Sequence, residues 1–349
     1  MSLLAPRPVQ SRTAGEPLPR LDPIAELPVL ILFPHSRCNC RCLMCDIWKD
    51  RTSREISAGE IAQMAEELRR LGVRRVVLSG GEPLMHSDLG AFAGPLVEAG
   101  VGLTLLSSGL LLERDAALVA ELVDDLVVSL DGPAEVHDAI RNVPRAYERM
   151  KAGVAAVRRR RRDIAVTARC TVQKANFRQL RRTVEAARVL GADRVSFLAA
   201  DVRSEAFARP GGWDAARAGG VALSPAELPE LEMELASLER DCADDLASGF
   251  IAESAGKLRR RLLDYFTALA GLGDFPEVRC NAPWVSSVVE SDGTVRPCFF
   301  QPPIGNLRQA GSLEAVLNGP AGLAFRRGLD VAGDPICRAC VCSLELKRS

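Results

Sequence analysis

From Val29 the chain settles into a rhythm: a short apolar run, a polar turn, an amphipathic stretch with apolar residues at helical spacing, then another apolar run. This spacing predicts strands at Val29 to Phe33, Arg75 to Ser79, Leu103 to Ser107, Asp125 to Leu130, Ile164 to Val172 and Arg194 to Ala200. Ser57, with Glu60 three residues on, marks the start of the first helix, and Gly72 marks its end. Strands that alternate with helices imply right-handed crossovers and a parallel sheet, whose functional residues gather at the C-terminal strand ends.

After Ala200 the rhythm stops. A glycine-rich stretch holds Pro210, Gly211, Gly212, Gly219 and Gly220, and helical segments follow from about Pro225 to Leu246 and Glu253 to Leu269. From Arg279 onward Cys, Pro and Gly dominate, with a hairpin turn expected at Asp292-Gly293. The division is therefore 1–27 as a proline-rich flexible leader, 28–200 as an α/β core, 201–275 as a linker and helical region shaping a substrate space, and 276–349 as a small cysteine-rich module.

Lys+Arg and Asp+Glu both total 45 in the 349 residues, so no global field selects nucleic acid or an anionic membrane. Apolar runs all fall short of the roughly 20 residues that span a bilayer, and no secretory signal is evident, so a cytoplasmic, soluble chain is expected. In a reducing compartment eleven cysteines in tight clusters point to metal ligation, not disulfides. The run Arg158–Arg162 reads as the solvated end of a helix, where cations complement the dipole.

Cys38, Cys42 and Cys45 follow the first strand directly. Three thiolates on a cluster normally held by four leave one iron open to an outside ligand. Zinc is the competing assignment, but no fourth Cys or His stands at conventional spacing, and Cys40 is too close to its neighbours to ligate beside them. The C-terminal module offers Cys280, Cys298, Cys337 and Cys340, four thiolates that would close a second site, with a zinc ribbon as its alternative. Cys342 stands close enough to exchange with Cys340, and the isolated Cys170 and Cys242 read as small buried apolar residues.

The CNCRCLMC run, with Gly80-Gly81-Glu82-Pro83 after the second strand and Ser129-Leu130-Asp131-Gly132 after the fourth, resembles the radical S-adenosylmethionine superfamily over about 170 residues. The C-terminal cysteines resemble its SPASM/twitch auxiliary-cluster domain. The resemblance implies a partial (β/α)6 TIM-type barrel, a 4Fe-4S cluster that cleaves S-adenosylmethionine to a 5'-deoxyadenosyl radical, and one auxiliary 4Fe-4S cluster. It places Met44 and Leu198 against adenine, Gly80, Gly81, Glu82 and Pro83 at the methionine amino group, and Ser108 near the ribose. Ser129 and Asp131 fall at the methionine carboxylate and ribose regions, with Arg141 as the cation for that carboxylate. His137 is expected to order its loop, with no part in acid–base chemistry.

The auxiliary cluster implies an electron acceptor, hence oxidation of substrate, with flavodoxin or ferredoxin as the one-electron donor. The stretch before the first strand is shorter than the recognition domain of about 80 residues that many peptide maturases carry, which favours a small molecule such as a sugar or aminocyclitol. A peptide or protein maturase is the alternative, and a non-catalytic iron-sulfur or zinc protein the third reading.

Overall fold

The computed structural model describes residues 17, 18, 20 and 22–347. Six parallel strands form as the periodicity predicts, each within a residue of its expected ends: β1 Val29–Leu32, β2 Arg75–Leu78, β3 Gly102–Ser107, β4 Asp125–Ser129, β5 Ala165–Val172 and β6 Arg194–Ala199. Along β1 to β5 every second residue is fully buried and its neighbours half-buried. One face therefore packs under the helices, through Leu30, Leu32, Val76, Leu103, Leu126 and Val166, and the other lines an open interior.

The crossover helices are α1 Ala58–Arg70, α2 Leu89–Glu98, α3 Ala116–Leu122, α4 Ala134–Arg141, α5 Ala146–Arg160 and α6 Leu180–Leu190. Ser57 and Glu60 form the expected capping box on α1, and Gly72 takes the left-handed conformation beyond it at φ +64°. The arginine run lies at the end of α5, where Arg161 bonds the carbonyls of Ala120 and Val123.

Among the described residues the sheet has nine strands in the order β6-β5-β4-β3-β2-β1-β7-β8-β9. β7 (Ser286–Val289) pairs in parallel with β1, and the antiparallel β8 (Thr294–Arg296) and β9 (Gly305–Asn306) follow. The cysteine-rich module is thus joined to the barrel through continuous backbone hydrogen bonding. Its turn lies at Asp292-Gly293: Gly293 has φ +85° and the Asp292 side chain accepts from the Thr294 amide.

Two expectations are corrected here. Most of the leader lies outside the described residues, but its described part is anchored. Leu18 bonds Leu346, Asp22 pairs with Arg326 and Arg327, and Leu27 is fully buried. The glycine-rich stretch after β6 is also built: it contains the short helix α7 (Ala215–Gly219) and reaches back to the cysteine loop of the barrel. Among the described residues no helix is long and apolar enough to cross a membrane.

Candidate active site

The loop from Phe33 to Asp50 leaves the C-terminal end of β1 and is held from three sides. Arg41 and Leu43 donate backbone N–H groups to the carbonyls of Arg141 and Ile140 at the end of α4. Glu82 donates its amide to the Arg37 carbonyl. A Cβ on Gly81 would lie 2.1 Å from that carbonyl oxygen, and one on Gly80, where φ is +94°, would lie 2.4 Å from the Phe33 ring. Only glycine lets the turn after β2 approach the cysteine loop this closely.

The third side is the segment after β6, which carried no assignable residue in the sequence. Arg209 is buried and donates to the carbonyls of Met44 and Asp201, pairs with Asp201 at 3.1 Å and stacks over Trp213 at 3.8 Å. Trp213 donates its indole N–H to Asp46, Arg217 bonds the Leu43 carbonyl, and Asp46 donates its amide to the Phe207 carbonyl. Phe207 and Ala208 sit at φ +62° and +58°, a conformation strained for side chains with a Cβ.

Within the loop, the Cys40 thiol stands against those of Cys38 and Cys42; the Cys38 contact and burial push it up to about 12, against a lowering contribution from Cys42. Enclosure likewise pushes Cys45 up to about 12, and Cys42 is raised by its contact with Cys40 and by burial. Such thiols ligate only once a cation replaces their protons. The Cys45 sulfur accepts the Ile47 amide N–H, the kind of donor that tunes cluster thiolates.

Several carried-over roles meet a different geometry. The Glu82 carboxylate is fully engaged, accepting from Leu84 and Ser107 on one oxygen and from the amide and hydroxyl of Ser108 on the other. It fastens the ends of β2 and β3 together and leaves nothing for an amino group. Pro83 is buried beside it, and the Ser108 hydroxyl also meets Asn39 of the cysteine loop. Asp131 is completely buried, with Arg141 Nε 2.6 Å from its Oδ2, close as an ion pair though poorly aligned as a hydrogen bond. Arg141 Nη1 lies 3.5 Å from Cys42 Sγ. The pair therefore braces the cysteine loop, and Asp131 is engaged by the Thr171 amide and by Arg141.

His137 accepts the Asp131 amide at 3.2 Å, and burial lowers it to about 3, so it is neutral and orders the loop as expected. Met44 is buried with Cys40, Cys42, Leu110 and Ile140; Leu198 is half-buried on β6; Ser129 ends β4. Cys170 is fully buried, but Cys242 is only half-buried. Five polar groups that the sequence did not single out carry buried, unpartnered nitrogens: Asn39 Nδ2, Arg169 Nε, Gln173 Nε2, Arg209 Nε and Arg217 Nε. Arg169 stands beside Ser129 in register and on the half-buried face of its strand. A lone arginine within a run that reads as strand gives no signal until the register places it.

A cavity of about 340 Å³ opens beside this end of the barrel, lined by Phe33, Gly81, Phe207 and Phe299 with Arg54 and Glu290 among the charged groups.

In the C-terminal module the four expected thiols are electrostatic neighbours. Burial raises Cys298 to about 11 and Cys337 to about 12; Cys280 adds to the first and Cys298 to the second. Cys340 is raised by burial, then by Cys342, Cys280 and Cys298. N–H groups of Phe300 and Gln301 reach the Cys298 sulfur, and that of Cys342 reaches Cys340. The buried Gln301 amide donates to Cys337 Sγ at 3.4 Å and to Asp334, the cap of the Pro335–Arg338 turn. Cys342 itself is exposed. Among the described residues no three His, Cys, Asp or Glu side chains converge on a single metal ion. The all-thiol donor sets with N–H groups on their sulfurs fit iron-sulfur clusters.

Comparison with known proteins agrees with this donor chemistry. A profile of the radical SAM superfamily matches residues 32–191, and one of the SPASM iron-sulfur cluster-binding domain matches residues 280–341. The AdoMet-dependent heme synthase of Methanosarcina barkeri is 34% identical over 163 residues, 44% of this chain and 45% of that protein. The PqqA peptide cyclase of Ruegeria pomeroyi is 28% identical over 301 residues, 84% of this chain and 73% of that protein. The chain thus spans less than half of the heme synthase. The structure of native anSMEcpe with bound AdoMet superimposes with a TM-score of 0.65 at 16% identity, covering 88% of this chain and 84% of that one.

Proposed function

Since the chain belongs to the radical SAM superfamily and carries a SPASM iron-sulfur cluster-binding domain, we propose that it is an enzyme that oxidises or crosslinks a residue of a peptide substrate. When bound, its 4Fe-4S clusters and S-adenosylmethionine supply reductive cleavage of the sulfonium and removal of a hydrogen atom from carbon. Cys38, Cys42 and Cys45 would hold the first cluster, and Cys280, Cys298, Cys337 and Cys340 the auxiliary one. Gly80 and Gly81 would let backbone approach bound S-adenosylmethionine, and Met44 would pack against its adenine. Arg169, beside Ser129, takes the methionine carboxylate in place of Arg141, because Arg141 is ion-paired with the buried Asp131 and lies against Cys42, whereas Arg169 has no ion-pair partner among the described residues. The segment 201–275 closes over the cysteine loop through Arg209 and Trp213 and shapes the cavity at Phe207.

The observation that carries the peptide reading is the reach of the PqqA peptide cyclase match, which at 84% of this chain exceeds what either module alone could supply. Oxidation of a small molecule, favoured by the sequence, keeps the support of the heme synthase, whose match covers only 44% of this chain. The test is anaerobic reconstitution with S-adenosylmethionine, a reductant and short peptides encoded beside the gene. A peptide that loses two hydrogens as 5'-deoxyadenosine is released supports the reading. Turnover of a sugar or aminocyclitol with every peptide inert overturns it.

A further inference from the structure

A second cavity, of about 490 Å³, lies beside the C-terminal cysteines and shares no lining residue with the one at the barrel mouth. Lys257, Arg260, Arg261, Arg279 and Arg338 line it, against the carboxylates of Glu277 and Glu345, and Cys340 forms part of its wall. Arg279 meets Glu277 at 3.2 Å, and Arg338 meets the exposed Asp274 only at 3.9 Å. Arg260 and Arg261 have no ion-pair partner among the described residues. They project from a π-helical turn, Arg259–Asp264, set between the helical turns Ala255–Leu258 and Tyr265–Leu269. Such turns are rare and concentrate at functional sites. The buried Tyr265 completes the wall and donates to the Ala200 carbonyl just past β6.

We infer that this basic cavity docks an acidic one-electron carrier protein that exchanges an electron with the auxiliary cluster. The inference rests on the proposed auxiliary cluster at Cys340 but not on the peptide substrate. Two observations select the occupant. The excess of cations complements an acidic surface and speeds encounter with it. A cluster ligand in the cavity wall gives a redox partner a short route, whereas a substrate must reach the other cavity, beside the cysteine loop of the barrel. One electron passes from the auxiliary cluster, reduced during substrate oxidation, to the oxidised carrier: the cluster is oxidised, the carrier is reduced, and no bond is made or broken.

The test titrates oxidised flavodoxin and, separately, a plant-type ferredoxin into the anaerobic holoenzyme and follows affinity against salt. For one of them, Arg260→Glu with Arg261→Glu is expected to weaken binding by about tenfold or more and to flatten the salt dependence. Arg260→Gln with Arg261→Gln should fall between, and iron content and dithionite-driven release of 5'-deoxyadenosine should match the unsubstituted protein in both variants. Absence of saturable binding of either carrier, or affinities of the variants within about twofold of the original, overturns the inference. So does loss of affinity for an acidic peptide with carrier binding intact, which would make the cavity a peptide site. Failure of the unsubstituted holoenzyme to release 5'-deoxyadenosine with dithionite would instead count against the proposed chemistry, and the carrier titration would still be read on its own.

Discussion

Arg141 and Arg169 bring the same charge to the same end of the barrel and are expected to respond oppositely to removal. Arg141→Ala strands the fully buried Asp131 beside Cys42, and losing one member of a buried pair costs roughly 3–5 kcal/mol, to be read by urea unfolding. Arg169→Met removes a guanidinium whose Nε has no partner, so stability should change by less than about 1 kcal/mol. Its cost should appear in S-adenosylmethionine binding, weakened by roughly 10- to 100-fold, as expected for one charged hydrogen-bonding partner. Equal loss of stability in both variants would remove the case for reassigning the carboxylate.

His137 gives a pH signature at the same scale. Burial lowers its folded value from 6.5 to about 3, so between these values the unfolded chain binds more protons than the folded one. The folded state therefore loses stability through this group as pH falls from about 6.5 toward 3, and regains it as pH rises. In His137→Asn the destabilisation measured at neutral pH should shrink in acid, because the unprotonated imidazole is then a burden only to the original protein. A gap that widens in acid would contradict this. The burial-raised Asp131 and Glu82 act in the opposite sense, which is why the comparison with the variant, not the bare pH profile, isolates the histidine.

At the scale of elements, two short segments clamp the cysteine loop. Gly81→Ala would force a Cβ to 2.1 Å from the Arg37 carbonyl, backbone that cannot swing aside, so the loop must shift. The expected result is protein that folds but retains markedly less iron at the first site, measured as iron per chain with the C-terminal cysteines unchanged. Ala208→Gly works the other way: relief of the left-handed conformation should stabilise by about 1 kcal/mol, seen as a rise in Tm.

These clamps mark where reading the chain succeeded and where it stopped. The strands, the capping box at Ser57, the turn at Gly293 and the cysteine spacings were legible because each is a local signal, periodicity or chemistry within a few residues. The Glu82–Ser107–Ser108 knot, the partners of Arg141, the unpartnered Arg169 and the Arg209–Trp213 brace were not, because each depends on which distant strands lie side by side. The pairing of β7 with β1, which fuses the module to the barrel, is of the same kind.

For the whole molecule, two thiol clusters sit on one continuous nine-stranded sheet, each beside its own cavity. If both hold cubanes, reconstituted protein should carry about eight irons, and Cys280→Ala with Cys298→Ala should reduce this to about four.

The most direct measurement is release of 5'-deoxyadenosine from anaerobically reconstituted protein given dithionite and S-adenosylmethionine. The account predicts release that vanishes in Cys42→Ala and persists, uncoupled from substrate, in Cys280→Ala with Cys298→Ala. No release from protein with a full complement of iron and sulfide, or release that survives Cys42→Ala, would contradict it.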